Sequence, residues 1–487
     1  MDRTAPRARI MALGQRRLAA ALACSLVTGC AMNPATGQKE FNLVSESQEV
    51  AMGTQAAQQV AAQMGPYQDS VWQPYVSKLG GQLAATSERP QLPWQFTVVD
   101  DPQVNAFALP GGFIYITRGI LANMNSEAEL VGVLGHEIGH VTARHSATQM
   151  SRAQLAQLGL GLGAVLRPEL EQYMGLAGAG LQLLFLKYTR DDERQADMLG
   201  FRYSLRSGYD PHAMLDLFTM LEGVESAGGQ ERLPAWAVTH PYPENRLAET
   251  QRMLDSAKVS SAGLTWNRET YLRQLDGMVY GPDPRQGYFD GQAFYHPELK
   301  FRLLFPAGWR TNNGFSAVTG LAEQQDGLLQ LALGSADAIA TQLQGFLAQD
   351  GVTPGSTSSA PINGLPAVSA PFSATLEDGS PVRGRIAILT YGGRNYRLMG
   401  IAKEAQAAAY DPVIQSWIRS FRPLTDVARL NVRPARIRIV TLGAPMTVSA
   451  FNAKYPSTVP VEQVALLNGV AMDGSFQAGK LVKRVVK

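Results

Sequence analysis

Apolar residues at Leu130, Val133, Leu134 and Val141 recur at the three- and four-residue intervals of a helix face. Just before them, Ser126-Glu-Ala-Glu129 places a hydroxyl three residues ahead of a glutamate, the signature of a capped helix start, so a helix is expected from about Glu127 to Met150. Upstream, helices are expected from about Ser45 and over Asp69 to Thr86, the latter ending before the break Pro90-Gln-Leu-Pro93. Trp94 to Val99 alternates apolar and polar positions, a strand pattern. Asn105 to Thr117 reads as two short β-rich runs around Pro110-Gly111-Gly112, a hairpin. Downstream, Lys187 to Ser207 is a charged amphipathic helix. Asp210-Pro211 opens another through about Gly223, and Thr239 to Arg246 opens one that runs to about Ala257.

Residues 153 to 186 are rich in Gly and Leu, but Arg167, Glu169 and Glu171 divide them into apolar pieces of about 14 residues, short of the roughly 20 that cross hydrocarbon. A helical hairpin or lid beside the active site is expected there, with interfacial membrane contact as the lesser alternative. After Ser260 the pattern changes. A polar stretch around Gly281-Pro-Asp-Pro-Arg285 precedes strands over 299 to 305, 328 to 333, 382 to 390 and 394 to 401, with helices over 336 to 349 and 410 to 421. The fold class expected is α+β, divided as 1–29, 30–280, 285–425 and 430–487.

The amino terminus alters the charge balance. Five arginines precede the apolar run Leu18 to Val27, which is too short to be a permanent span and reads as a secretory signal peptide. Val27-Thr28-Gly29-Cys30 is similar to a bacterial lipobox, in which Cys30 would be lipidated and become the first mature residue; a plain signal peptide with an incidental cysteine is the alternative. Removing residues 1–29, with their five Arg and one Asp, takes the formal charge from +2 to −2. That balance gives no electrostatic case for nucleic acid. Of the two cysteines only Cys30 would remain, so no disulfide is expected and packing must hold the fold.

The candidate chemistry is His136-Glu137-Ile138-Gly139-His140. Two histidines four apart share one helix face and can hold one zinc ion while the glutamate beside them reaches water at the metal. Zinc catalysis needs a third protein ligand. A third histidine six residues after His140, preceded by a glycine, is excluded, because those positions are Ser146 and Ala143 and His145 is out of register. A glutamate from a later helix is the other source, and Glu193 is the best candidate. Asp197 lies four residues on along the same face, placed to hold a ligating histidine by its second nitrogen.

Asn105-Ala-Phe-Ala-Leu-Pro-Gly-Gly112, His136 to His140, Asp192-Glu193-Arg-Gln-Ala-Asp197 and Thr239-His240-Pro241 with Arg246 together resemble the HtpX and CAAX-prenyl-endopeptidase family of gluzincin metallopeptidases, in particular its periplasmic BepA-like branch. The resemblance spans about residues 40 to 260. It implies a mainly helical zincin peptidase domain with a small sheet, one zinc held by His136, His140 and Glu193, and Glu137 as general base. It also implies His240 near the metal, stabilising an oxyanion or filling the open position at rest. Asn105, Ala106, Phe107, Gly111 and Gly112 would offer an edge strand to an extended substrate, with Arg246 also at the substrate. The membrane helices of HtpX and the carboxy-terminal helical repeats of BepA have no counterpart in the sequence.

Residues 288 to 309 resemble the start of small α+β modules of the PsbP or Mog type, and His296 within them is expected to be structural. The final 57 residues carry a charge of +6 and resemble a LysM βααβ module, although the usual Gly-Asp-Thr start reads Gly443-Ala-Pro-Met-Thr447. The expected function is a lipid-anchored zinc endopeptidase of the bacterial cell envelope, outer-membrane and periplasm-facing in a diderm, acting on misfolded or misassembled envelope proteins. Its partners would be those proteins, the membrane through Cys30, and peptidoglycan through the last module. The alternative is an envelope assembly chaperone or peptidoglycan-associated lipoprotein in which proteolysis is secondary.

Overall fold

The computed structural model describes residues 30–157, 188–228, 236, 240, 245–376 and 379–487. The expected signal peptide, and residues 158–186 of the hairpin or lid expected over 153–186, lie outside the described residues. These fall into two compact units: one holds the described residues through Ala61 with Pro66–Met278 and Ile437–Val486, the other Ala62–Gly65 with Val279–Arg436.

The first unit opens with strands β1 (Cys30–Met32) and β2 (Lys39–Phe41), paired antiparallel. Asn33 turns the chain by accepting from the amides of Ala35 and Thr36, and its own amide donates to the Ala143 carbonyl at 3.2 Å. These contacts tie the segment down. Helices α1 (Glu46–Met64) and α2 (Trp72–Ala85) follow. Strands β3 (Gln95–Val99), β4 (Ala106–Leu109) and β5 (Phe113–Thr117) form a sheet in the order β3-β5-β4, which puts β4 at an edge. Gly111 and Gly112 make the β4–β5 turn at φ +83° and +103°, backbone that side-chain-bearing residues rarely adopt.

Thr117 caps the short helix α3 (Arg118–Asn123), and Ser126 caps α4 (Glu127–Thr142) by accepting the Glu129 amide. Every residue of α4 is buried, a wider burial than the single apolar face the periodicity suggested. The expected continuous helix to Met150 is broken. Arg144 sits at φ +61° and turns the chain into α5 (His145–Gln157). Helix α6 (Arg190–Arg206) starts on a Thr189/Asp192 capping box and lies against α4. The two backbones meet at glycines: a Cβ built on Gly135 would stand 3.0 Å from the Cα of Gly200. Helices α7 (Ala213–Gly228), α8 (Arg246–Ala257) and α9 (Arg268–Leu275) pack around this pair.

The second unit contains β6 (Tyr288–Asp290), β7 (Ala293–His296), β8 (Phe301–Leu304), β9 (Arg310–Asn313), β10 (Ala317–Leu321), β11 (Gly327–Leu333), helix α10 (Ile339–Leu347), β12 (Val352–Pro354), β13 (Ala367–Thr375), β14 (Pro381–Tyr391), β15 (Arg394–Lys403), helix α11 (Ala407–Arg419), β16 (Arg422–Pro423) and helix α12 (Val427–Leu430). Seven strands form one antiparallel sheet in the order β12-β13-β14-β15-β11-β10-β9, and β16-β8-β7-β6 form a smaller one. Consecutive buried residues of β14 alternate between two clusters, Ala387 and Leu389 on one face and Ile386 and Ile388 on the other, so the large sheet buries side chains on both faces. Leu329, Leu331 and Leu398 pack with Trp417 of α11 and Phe301 of the small sheet. Leu343 of α10 packs with Phe372 and Ile388 on the opposite face.

The chain then returns to the first unit through β17 (Arg436–Thr441), β18 (Met446–Thr447), α13 (Val448–Lys454), α14 (Val461–Leu467), β19 (Ser475–Phe476) and β20 (Leu481–Val486), with β17 beside β20 and β18 beside β19. Its small core holds Val448, Phe451, Val464, Phe476 and Val482. Lys483 reaches out of it, fully buried, and donates to the carbonyls of Ala122, Asn123 and Met124 at 3.1, 3.1 and 2.9 Å. Those carbonyls end α3, immediately ahead of the Ser126 cap. Among the described residues no helix is long and apolar enough to cross a membrane.

Candidate metal centre

Helix α4 carries His136, Glu137 and His140, and α6 carries Glu193 and Asp197, so the glycine contact between these helices sets how close the groups stand. One donor atom each from His136, His140, Glu193 and His240 lie within 4.8 Å of one another, all buried. His140 Nε2 is 3.0 Å from His136 Nε2 and 3.4 Å from Glu193 Oε1. His240 Nδ1 is 3.0 Å from Glu193 Oε1 and 3.3 Å from His136 Nε2. Trp236 stacks on His240 with centroids 4.2 Å apart, and Tyr188 stacks on His140 at 3.9 Å.

These donors fit a zinc ion. Asp197 Oδ1 lies 2.8 Å from His136 Nδ1 and accepts its proton, leaving Nε2 as a lone pair directed at the cluster. Lone pairs facing one another across 3.0 Å repel unless a cation lies among them. Glu193 Oε2, His240 Nε2 and both Glu137 oxygens are buried without a hydrogen-bond partner, which a metal site with an adjoining reaction space explains and a closed ion-pair network does not. Imidazole nitrogens with one carboxylate are a zinc donor set.

The electrostatics separate the two glutamates. Burial pushes the Glu193 carboxyl up, but the facing His240 first, with His140 and His136 beside it, outweighs that and holds the group well below its usual range. Burial raises Glu137, only partly opposed by His240 and His136, so it holds a proton more readily than an ordinary glutamate. Burial drives His140 down and lowers His145 as well. For His240 burial is outweighed by the carboxylates of Glu193 and Glu137, and its affinity for a proton rises.

The structure thus brings together His136, Glu137, His140, Glu193, Asp197 and His240; Thr239 and Pro241 lie outside the described residues. Arg246, expected at the substrate, stands beside the cluster, with Nη2 3.8 Å from Glu193 Oε2. It is 2 % exposed, grips Asp197 through Nε at 2.7 Å and Nη2 at 2.5 Å, and lies over the Phe218 ring at 4.1 Å. Its guanidinium is therefore turned to the carboxylate behind His136. Asn105, Ala106, Phe107, Gly111 and Gly112 lie on or beside β4 and are buried. Sequence reasoning missed Tyr188, Trp236, His145 and Gln195. The first two are aromatic residues with no spacing signal, and the last two depend on the Arg144 turn.

A buried pair of histidines one helical turn apart, joined by a glutamate from a second helix and flanked by a glutamate without a hydrogen-bond partner, defines the class as a zinc metallopeptidase of the split-motif kind. Residues 71–254 match peptidase family M48. The chain is 30% identical over 244 residues to the mitochondrial metalloendopeptidase OMA1 of Schizosaccharomyces pombe, covering 49% of this chain and 70% of that protein. It is 32% identical over 259 residues to the β-barrel assembly-enhancing protease of Yersinia pestis, covering 51% of this chain and 52% of that protein. The chain belongs to peptidase family M48. It spans about half the length of the β-barrel assembly-enhancing proteases it matches. The solution structure of a cyanobacterial PsbP from Synechocystis aligns over 27% of the chain at 12% identity and a TM-score of 0.24, too distant to define either unit.

Proposed function

We propose that this chain is a zinc-dependent endopeptidase of the bacterial cell envelope that cleaves misfolded or misassembled envelope proteins. The observation that supports it most is the buried Glu137 carboxylate, without a hydrogen-bond partner, beside the His136, His140 and Glu193 donors. Bound zinc would supply Lewis acidity, acidifying water and polarising a peptide carbonyl. Glu137 takes the proton from the attacking water and returns it to the leaving amine, and its burial brings its affinity for a proton nearer the value such a shuttle needs. His240, with Nε2 3.6 Å from Glu137 Oε1, stands where it can hold the developing oxyanion or close the site at rest. Asp197 fixes His136, and Arg246 fixes Asp197. The edge position of β4 supports docking of an extended substrate along Asn105, Ala106 and Phe107, with Gly111 and Gly112 at the turn.

The relatives' names favour envelope proteins as substrates, and the lipobox-like Val27 to Cys30 favours a lipid anchor facing the periplasm. The two helices α13 and α14, enclosed in sequence by the paired strands β17 and β20, support a LysM-like contact with peptidoglycan; the full chain remaining in the supernatant of a peptidoglycan pelleting assay would remove that role. Glu137→Gln is the test of the activity. It should keep stoichiometric zinc and lose cleavage of an unfolded protein. Unchanged turnover refutes the assignment, and lost turnover with envelope integrity preserved in cells favours the chaperone alternative.

A further inference from the structure

His145 is the buried histidine left without a role above. On an uninterrupted helix, a residue five past His140 is rotated by roughly 140° and faces away from it. Arg144 at φ +61° removes that constraint. The turn is clamped from distant chain: Arg144 Nε donates to Glu49 at 3.1 Å, its Nη2 to the Val44 carbonyl at 2.5 Å, and Arg89 donates to both Glu49 and the Val141 carbonyl. The reversal brings His145 back under the site, with its Nδ1 2.9 Å from His140 Nδ1 and the rings at 74°. On its other side, His145 Nε2 lies 2.8 Å from Gln195 Oε1, on the helix that carries Glu193. Asn33 in turn donates to Gln195 Oε1 and to the Ala143 carbonyl.

We propose that His145 and Gln195 form a relay that positions His140, fixing Nε2 as its metal-facing nitrogen, as Asp197 does for His136. The bond directions follow from atom types. Gln195 Oε1 only accepts, so His145 carries its proton on Nε2 and presents a lone pair at Nδ1. That lone pair accepts the His140 Nδ1–H, which leaves His140 Nε2 unprotonated. The two ligating histidines are therefore held differently, His136 directly by a carboxylate and His140 through a second imidazole, whose Nε2 has Gln195 Oε1 at 2.8 Å and the Asp192 carboxylate further off at 3.9 Å. Outer partners of this kind set ligand orientation.

The inference rests on the zinc reading above, and its test separates the two. Zinc affinity is measured by chelator competition on the full chain, and tautomers by nitrogen NMR of histidine-labelled, metal-free protein. His145→Leu should weaken zinc binding by about 10- to 100-fold. His145→Asn, whose side-chain oxygen can accept at the place of Nδ1, should restore most of it. Gln195→Leu should weaken binding less than His145→Leu without touching either imidazole. The wild-type spectrum should show His145 protonated at Nε2 and His140 at Nδ1. Unchanged affinity in His145→Leu, an Asn variant as weak as the Leu variant, or His145 protonated at Nδ1 overturns the relay. Should His145→Leu fail to fold, the Asn and Gln195 variants and the wild-type spectrum decide. A wild type that binds no zinc, or binds it equally well after His136→Ala, strikes down the metal centre itself.

Discussion

Gly135→Ala probes the contact that brings the two halves of the site together. The added Cβ would stand 3.0 Å from Gly200 Cα and 3.1 Å from its carbonyl oxygen, against backbone that has no rotamer to yield. Carbon atoms pack at about 3.5–4.0 Å, so α4 and α6 must part locally by roughly 0.5–1 Å. Overpacking of this kind costs about 1–3 kcal/mol, offset by about 1 kcal/mol from the better helix propensity of alanine. The expected net loss is about 0–2 kcal/mol, or at most a few degrees in Tm. The larger effect falls on zinc, because His136 and Glu193 sit on the separating helices and metal–ligand distances tolerate only about 0.2 Å. Affinity should drop on the order of 10- to 100-fold, the range seen when groups that orient ligands are disturbed. Gly132→Ala is the control, since its Cβ meets only the Met214 and Leu217 side chains, at 3.3 and 3.7 Å. Thermal unfolding of the metal-free protein and chelator competition measure the two effects. A Gly135→Ala protein matching Gly132→Ala in both would show that the close approach does not set the site.

Replacing His240 by alanine should change peptidase activity while zinc, still held by His136, His140 and Glu193, stays bound in equilibrium dialysis; loss of all zinc would make His240 an obligatory ligand. Lys483→Met strips the donor from three buried carbonyls and a positive charge from the vicinity of Glu129. It should cost about 2–4 kcal/mol in urea unfolding, and a change below about 0.5 kcal/mol would show that the ammonium does not anchor the last segment. Burial lowers His296 to about 4, and its Nδ1 accepts the Leu299 amide. A folded-state value below the unfolded one means that this contribution is complete above about pH 6.5 and is lost as the pH falls towards 4, by up to about 3 kcal/mol. His296→Gln should flatten that part of the profile, and an NMR titration of the ring placing its midpoint near 6.5 would contradict the burial argument.

The spacing of His136 and His140, the Ser126 cap and the apolar period determine a helix with two imidazoles on one face, because these are local properties of consecutive residues. The four-residue step from Glu193 to Asp197 likewise places a ligand and an orienting carboxylate together. The hairpin was legible in Pro110-Gly111-Gly112 for the same reason. Tertiary structure decided the rest. Nothing in the residue type of Arg144 calls for a left-handed conformation, which is held by Glu49 and Val44 about a hundred positions away. That turn makes an out-of-register histidine a neighbour of His140. Nothing local in the sequence tells that Asp197 and Phe218 enclose Arg246, and Lys483 reads as one of many basic residues until it meets carbonyls some 360 positions earlier. Local sequence encodes which groups share a helix face. Which of them lie behind the metal ligands depends on burial and on contacts between distant segments, and these exist only once the chain has packed.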